Sequence, residues 1–430
     1  MFDRVIARTA SGHEMPQSSD TPDTSPVIDV LVAGGGQVGL ALALALRRAS
    51  DLSVTLVDAV PAGVRPREGR ASTIVAGARH LLDQLGVWKS IADEAEPVTA
   101  MIVTDSRTRD VVRPVFLTFA SEEGAMAHVV PDGVVVAALA EAAETAGVRI
   151  VAPDAVVDFT AGGASVAARL KDGETIAARL LVAADGVRSR LRSLAGIGTI
   201  GHDYSQSGIV ATIAHERPHH GRAEEHFLPS GPFATLPLKA KDGRPCSSLV
   251  WTEPSEIADR LVKGDPLVFR VELERRFGHR FGAFEVVDTP KAFPLALTLA
   301  REFVRPRFAL VGDAAHSIHP IAGQGLNLGY RDVAALAETV IEAHRLGLDI
   351  GALATLDRYQ RWRRYDTTEM ALATDGLNRL FANDNPLLRI GRDVGLGVVD
   401  RLPNLKRMFV AEAAGEGMGT SPRLLRGEAI

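Results

Sequence analysis

The chain has 430 residues, 48 Lys and Arg against 53 Asp and Glu, and a formal net charge of −5. That balance lacks the basic stripe of a nucleic-acid binder, and no run approaches the roughly 18 apolar residues of a transmembrane helix. A single cysteine, Cys246, excludes an intramolecular disulfide and fits a reducing compartment. The length favours two or three domains with a core large enough to need neither disulfide nor metal. Mean hydropathy is slightly positive at +0.08, so apolar surface must lie in a core, a partner surface or a membrane-touching face. The 40 glycines and 23 prolines form dense clusters rather than low-complexity sequence.

Residues 1–26 read as a disordered tail, because 17–26 is polar and turn-rich. No apolar core of a secretory signal follows the start, and Asp3, Glu14, Asp20 and Asp23 argue against a transit peptide. A buried strand is expected over 27–33, a helix over 37–50 and a second strand over 53–58. Further helices are expected over 73–85, stopped by Gly86, and over the Ala-rich 134–146. From Val148 the pattern turns to strands. Segments 164–170 and 174–180 flank Lys171-Asp172-Gly173 as a hairpin, and 181–184 reads as a buried strand. Residues 205–300 alternate short apolar strands with Gly/Pro turns such as Ser230-Gly231-Pro232. A buried strand returns at 308–311, and 325–345 and much of 353–412 read as helix.

Gly34-Gly35-Gly36-Gln37-Val38-Gly39 fits the G-x-G-x-x-G pattern between the first strand and the first helix. Gly34 permits the tight turn, Gly36 lets backbone approach a pyrophosphate, and Gly39 lets the helix pack close to the sheet. The helix N-terminus favours the anion. Asp58, ending the next strand, can accept hydrogen bonds from a ribose. This is a dinucleotide-binding unit, and by itself it does not separate FAD from NAD. The expected fold is therefore α/β. A Rossmann-like nucleotide-binding domain is built from 27–200 and 301–345. A β-rich substrate domain spans 201–300, and a helical C-terminal region 346–430.

Two further clusters follow: Ala184-Asp185-Gly186, and Gly312-Asp313 running through His316, His319 and Pro320 to Gly323-Gln324-Gly325-Leu326-Asn327. An Asp at a strand end can bind a ribityl or ribose hydroxyl, and the glycines let backbone lie against a flat ring. With these motifs in this order, the chain resembles the single-component (group A) flavin-dependent aromatic hydroxylases, and within them the ubiquinone-biosynthesis hydroxylases. Tyr204-Ser205-Gln206, Gly231-Pro232, Phe293-Pro294-Leu295, 359–366 and Thr374-Asp375-Gly376-Leu377 also match. The resemblance covers about 27–415. It implies FAD as cofactor and NAD(P)H as co-substrate. Gly34, Gly36 and Gly39, with Gln37 and Val38 between them, would cradle the pyrophosphate, Asp58 the adenosine ribose and Arg70 the phosphates. Asp185 would support FAD and the visiting nicotinamide, Asp313 the ribityl–pyrophosphate portion, and Pro320, Gly323, Gly325, Leu326 and Asn327 the isoalloxazine ring. Where the family has Asp two residues before its arginine, this chain has Glu68.

The activity so implied is hydroxylation of an aromatic ring with NAD(P)H and oxygen, on a polyprenylated phenol of ubiquinone biosynthesis. The cofactor carries the chemistry, so no protein nucleophile and no metal is required, and the sequence does not single out a catalytic side chain. A flavin-dependent lipid reductase and a non-catalytic FAD-bound scaffold subunit are the rival readings. Expected partners are a hydrophobic aromatic small molecule and no nucleic acid. Self-association, a biosynthetic complex and a peripheral inner-membrane contact of a cytoplasmic protein are further expectations, the last from basic and apolar residues over 386–410. His316 and His319 are read as loop packing or flavin contacts. His215, His219, His220 and His226 are read as a surface loop, Cys246 as structural, and Arg361, Arg363 and Arg364 as a solvated helix face.

Overall fold

The computed structural model describes residues 26–61, 69–105, 115–120, 124–381 and 421–430. The tail up to residue 25, Glu68 and the 386–410 segment lie outside the described residues. The fold is α/β. Its first sheet starts with β1 (Ile28–Ala33), which feeds α1 (Gln37–Ala49) and then β2 (Val54–Val57). Val30, Leu31 and Val32 are fully buried, and so are α1 residues from Ala41 to Leu44 and Leu46. A parallel sheet covered on both faces demands such runs, and each buried Leu contributes roughly 1.5–3 kcal/mol.

The chain next makes β3 (Ala71–Val75), which pairs antiparallel with Ala127–Pro131 in a small separate sheet. The helix expected over 73–85 therefore begins only at Ala76 and runs to Gln84. The β-branched Thr73-Ile74-Val75 fits a pleated partner better than a helix. The expected hairpin is present, with Val166–Leu170 antiparallel to β4 (Thr175–Ala183). β4 runs on without a break into the segment read as a separate buried strand, because its far half pairs parallel with β1.

The second sheet holds nine strands among the described residues, three of which pair with β5 (Thr199–His215). The strands expected to be short are long: β5 has 17 residues and Arg244–Pro254 has 11. Two helices, Ser255–Lys263 and Pro266–Phe277, interrupt them. The second starts with Asp265 accepting from the Leu267 N–H (2.8 Å) and Pro266 at its first position, an N-cap pattern that sequence alone displays. Phe269, Leu273 and Phe277 cover Trp251 of the sheet. Ala100–Asp105, Val115–Ala120 and His316–Ser317 join this sheet from outside 201–300.

The chain then returns to the first sheet as β6 (Phe308–Leu310), parallel to β4. It continues into α2 (Gln324–Arg345) and α3 (Leu353–Phe381). Across the core of the first sheet the order is β6, β4, β1, β2 and Arg149–Val151, all parallel.

Close packing of α1 on this sheet rests on Gly39, where an added Cβ would lie 1.9 Å from the Gly34 carbonyl oxygen. Backbone cannot yield as a flexible side chain would. Gly39→Ala is expected to lower unfolding stability by roughly 1–3 kcal/mol. Urea unfolding of the flavin-stripped protein measures this, and an unchanged midpoint would contradict the packing argument.

Candidate functional site

The C-terminal ends of β6, β4, β1 and β2 lie side by side at one edge of the sheet, the position where open parallel sheets bind ligands. Backbone bonds stitch them: Val311 N–H donates to Ala183 O (3.0 Å), Ala184 N–H to Ala33 O (2.8 Å) and Gly34 N–H to Val57 O (2.8 Å). All three sequence clusters thereby meet. Gly34 has φ +119°, and a Cβ there would lie 2.2 Å from Ala184 O, so the first cluster presses on the second. Val38 presses on the third. A Cβ on Gly329 would come within 2.6 Å of its Cγ2, and one on Gly312 within 3.2 Å of its Cγ1. Gln37 is buried and accepts from the Tyr330 hydroxyl (2.8 Å).

The donors at this edge suit a dinucleotide. α1 starts after Gly36 with no side-chain cap, and among the described residues no atom beyond its chain neighbours lies within 4 Å of where a Gly36 Cβ would stand. Free helix N–H groups face that opening and favour an anion. Asp58 reaches over Gly35, where a Cβ would sit 2.5 Å from its Oδ2. Gly35, a free position in the fingerprint, is thus also sterically required. Neither Asp58 nor the exposed Asp313 makes a side-chain hydrogen bond among the described residues, so both carboxylates can accept from ligand hydroxyls. Asp185 is exposed and its Oδ2 accepts from Leu191 N–H (3.2 Å). Arg70, at the start of β3, is 44% exposed with its Nε 3.3 Å from Asp132 Oδ2.

The third cluster forms the other wall. Pro320 leads into a short turn, and Gly323 adopts the left-handed conformation with φ +63° as the cap of α2. Leu326 is half-buried, and among the described residues no atom beyond Gly325's own helix backbone lies within 4 Å of a Cβ placed there. Asn327 is buried and fully engaged. It donates to Thr73 O (2.9 Å) and Gly323 O (3.1 Å) and accepts from Val75 N–H (3.3 Å). Its side chain therefore ties β3, and with it the Arg70 end, to the glycine turn.

A buried ionic cluster holds this wall in place. Asp332 on α2 is fully buried. It accepts from Gly312 N–H (2.8 Å) and from Arg363 Nε of α3 (2.6 Å), and its Oδ2 lies 2.6 Å from His316 Nε2. Arg363 also meets Asp366, which accepts from Arg331 (2.8 Å). Burial acts to raise the Asp332 carboxyl, but the His316 and Arg363 charges hold it below the usual carboxylate range. The expected solvated arginine face is thus corrected: Arg361 is exposed, but Arg363 is only 2% exposed and structural. Its spacing from Tyr359 and Thr367, both buried on α3, is the helical signal that could have found it.

The histidine-rich stretch is also corrected. His215, His219 and His226 are buried, and only His220 is exposed. His215 bonds Ser247 (2.9 Å), His219 the Leu238 carbonyl (3.0 Å) and His226 the Thr104 hydroxyl (2.6 Å), so they brace the second sheet. Cys246 is buried, with its Sγ 3.5 Å from Arg244 O.

Residues 27–371 match the family described as FAD binding domain. Over 99% of both chains, this one is 41% identical to the ubiquinone hydroxylase UbiL of Rhodospirillum rubrum. The chain belongs to this family of FAD-dependent hydroxylases. It is also 33% identical to the 3-demethoxyubiquinol 3-hydroxylase of Escherichia coli, over 91% of this chain and 100% of that one. The solved structure of p-nitrophenol 4-monooxygenase from Pseudomonas putida shares the fold, with a TM-score of 0.74, 20% identity, and coverage of 92% of this chain and 99% of that one. FAD is the flavoprotein's cofactor, and the open helix N-terminus and free acids at the sheet edge fit it.

Removing Asp332 leaves buried His316 without its partner and Arg363 with Asp366 as its remaining counter-charge. Asp332→Ala is expected to cost roughly 3–5 kcal/mol, read as a lower melting temperature of the purified flavoprotein. A melting temperature equal to the parent's would show that the cluster does not hold the turn.

Proposed function

We propose that this flavoprotein hydroxylates the aromatic ring of a polyprenylated phenol, a ubiquinone precursor, with NAD(P)H and oxygen. The end-to-end likeness to ubiquinone hydroxylase UbiL carries this reading. Bound FAD supplies the redox chemistry by which one oxygen atom of O2 enters the ring as hydroxyl and the other leaves as water.

The chain's own part is binding, orientation and exclusion of water. In this proposal Gly34, Gly36, Gln37, Val38 and Gly39 hold the pyrophosphate at the α1 N-terminus, and Asp58 takes the adenosine ribose. Arg70 meets the phosphates, and Asp313 takes the ribityl–pyrophosphate portion. Asp185 faces both FAD and the visiting nicotinamide. Pro320, Gly323, Gly325, Leu326 and Asn327 surround the ring system. Below the turn, Val103, Leu117, Phe227, Ile321 and Phe381 form an apolar cluster that suits a greasy ring and keeps water out. A long apolar tail partitions into lipid, so the proposal includes a peripheral contact with membrane. No described helix is long and apolar enough to cross one.

The purified protein is expected to be yellow, and a prenylated phenol to accelerate NAD(P)H oxidation and to gain one oxygen atom from labelled O2, read by mass spectrometry. Bound FAD with no turnover of any quinone precursor would instead favour the scaffold role, and a colourless protein would sink the flavoenzyme reading. Asp313→Ala is expected to weaken FAD retention by about tenfold or more, the scale of losing a hydrogen bond to a charged group. Equilibrium dialysis measures it, and normal retention would remove Asp313 from the site.

A further inference from the structure

Just before the glycine turn, His319 is wholly buried, and among the described residues neither ring nitrogen has a hydrogen-bond partner. Buried polar groups left unpaired carry their full desolvation cost, so native proteins keep few of them. Here several gather in one place. Among the described residues Asn378 Oδ1 is likewise buried and unpartnered, and the Tyr204 hydroxyl is buried with the Asp375 carboxylate beside it. The Tyr204 ring meets the His319 ring edge-on, with centroids 5.0 Å apart.

The surrounding structure is arranged to present them. Pairing of β5 with Lys291–Ala300 runs Asp203↔Ala296 and resumes at Gln206↔Leu295. Tyr204 and Ser205 are thus bulged out, with Ser205 at φ +53°, and such bulges re-aim side chains beside active sites. Gln206 fixes the bulge, donating to Ser230 O (2.8 Å) and accepting from Asn378 Nδ2 (3.1 Å). One turn earlier on α3, Asp375 lies 3.2 Å from His202 Nε2 and 3.0 Å from Arg379 Nε. His202 in turn packs edge-on against Tyr204. The sequence motifs at 204–206, 230–232 and 374–377 and the flavin turn thereby converge on one spot.

We propose that His319, Tyr204 and Asn378 form the subsite that binds the ring hydroxyl of the aromatic substrate and so orients the ring beside the flavin turn; this rests on the phenol hydroxylase reading. A phenol hydroxyl both donates and accepts one hydrogen bond. A neutral imidazole offers one acceptor and one donor, the amide oxygen of Asn378 accepts, and the Tyr204 hydroxyl can do either. Burial pushes the His319 ring down to about 4, with Asp375 pulling weakly the other way, so the ring is neutral at pH 7 and able to accept. Burial, then the Asp375 carboxylate by its charge and by hydrogen bonding, raises the Tyr204 hydroxyl, which stays protonated and whose oxygen can accept. Ile318, Leu297, Leu299 and Leu328 supply apolar surface next to this group.

The test compares 2-geranylphenol with its methyl ether, which cannot donate, on FAD-loaded protein by quenching of flavin fluorescence. The parent is expected to bind the phenol about tenfold tighter than the ether, the scale of one lost buried hydrogen bond. His319→Leu should shrink that preference to within about twofold while the ether binds as before. Tyr204→Phe, which removes one oxygen and keeps the ring, should reduce it severalfold and decides the matter alone if the histidine variant does not fold. An undiminished preference in the folded variants overturns the subsite. A parent that binds both probes equally overturns it too, but leaves the hydroxylase reading standing. A parent that binds neither probe refutes the phenol reading and the subsite with it.

Discussion

The buried carboxylate of Asp332 is the interaction on which the cofactor edge depends. It accepts directly from the Gly312 N–H, the first residue of the turn that carries Asp313. Through His316 and Arg363 it also binds the strand after that turn and the long helix α3. A charge in the interior persists only if its partners stay in place. The cluster therefore fixes three segments relative to one another more firmly than apolar packing, which tolerates sliding and exchange of similar side chains. Among the described residues the Asp313 carboxylate itself has no side-chain partner, which is what a ligand-facing acid requires.

A second constraint works through close approach rather than charge. Gly34, Gly39 and Gly329 are places where backbone or Val38 comes nearer than a Cβ would permit, and Val38 also sits tightly against Gly312. These contacts interlock the first cluster with the second and third, so the three motifs behave as one unit. Asn327 extends that unit to β3, whose start carries Arg70. The flat-ring wall and the phosphate end are thereby built on the same rigid edge. The second sheet meets this unit from below through the His316–Ser317 pair and the apolar cluster around Ile321.

Much of this was legible in the residue order. The strand–glycine turn–helix unit, the Asp58 position, the hairpin at 166–183 and the buried return strand follow from periodicity and turn chemistry, which act locally. Misreadings arose where a distant partner decided the outcome. Thr73 to Val75 became strand because Val129 to Ala127 lie alongside. Arg363 looked solvated because a one-dimensional pattern of arginines does not reveal an Asp332 some thirty residues earlier. The histidines at 215, 219 and 226 looked like a polar loop until the long strands that bury them were in view. The helix starting at Pro266 had a readable cap, but it lies among strong strand signals.

The sequence by itself determined the class of cofactor and the parallel core, because glycines, strand-end acids and apolar runs encode local geometry that few other arrangements need. Only the tertiary structure decided which polar groups are left without partners. His319 and Asn378 come from a loop and the end of a helix, and neither carries a local mark of its fate. Whether a buried nitrogen or hydroxyl is satisfied depends on every atom around it, and those atoms are brought together by packing over more than 170 residues of chain.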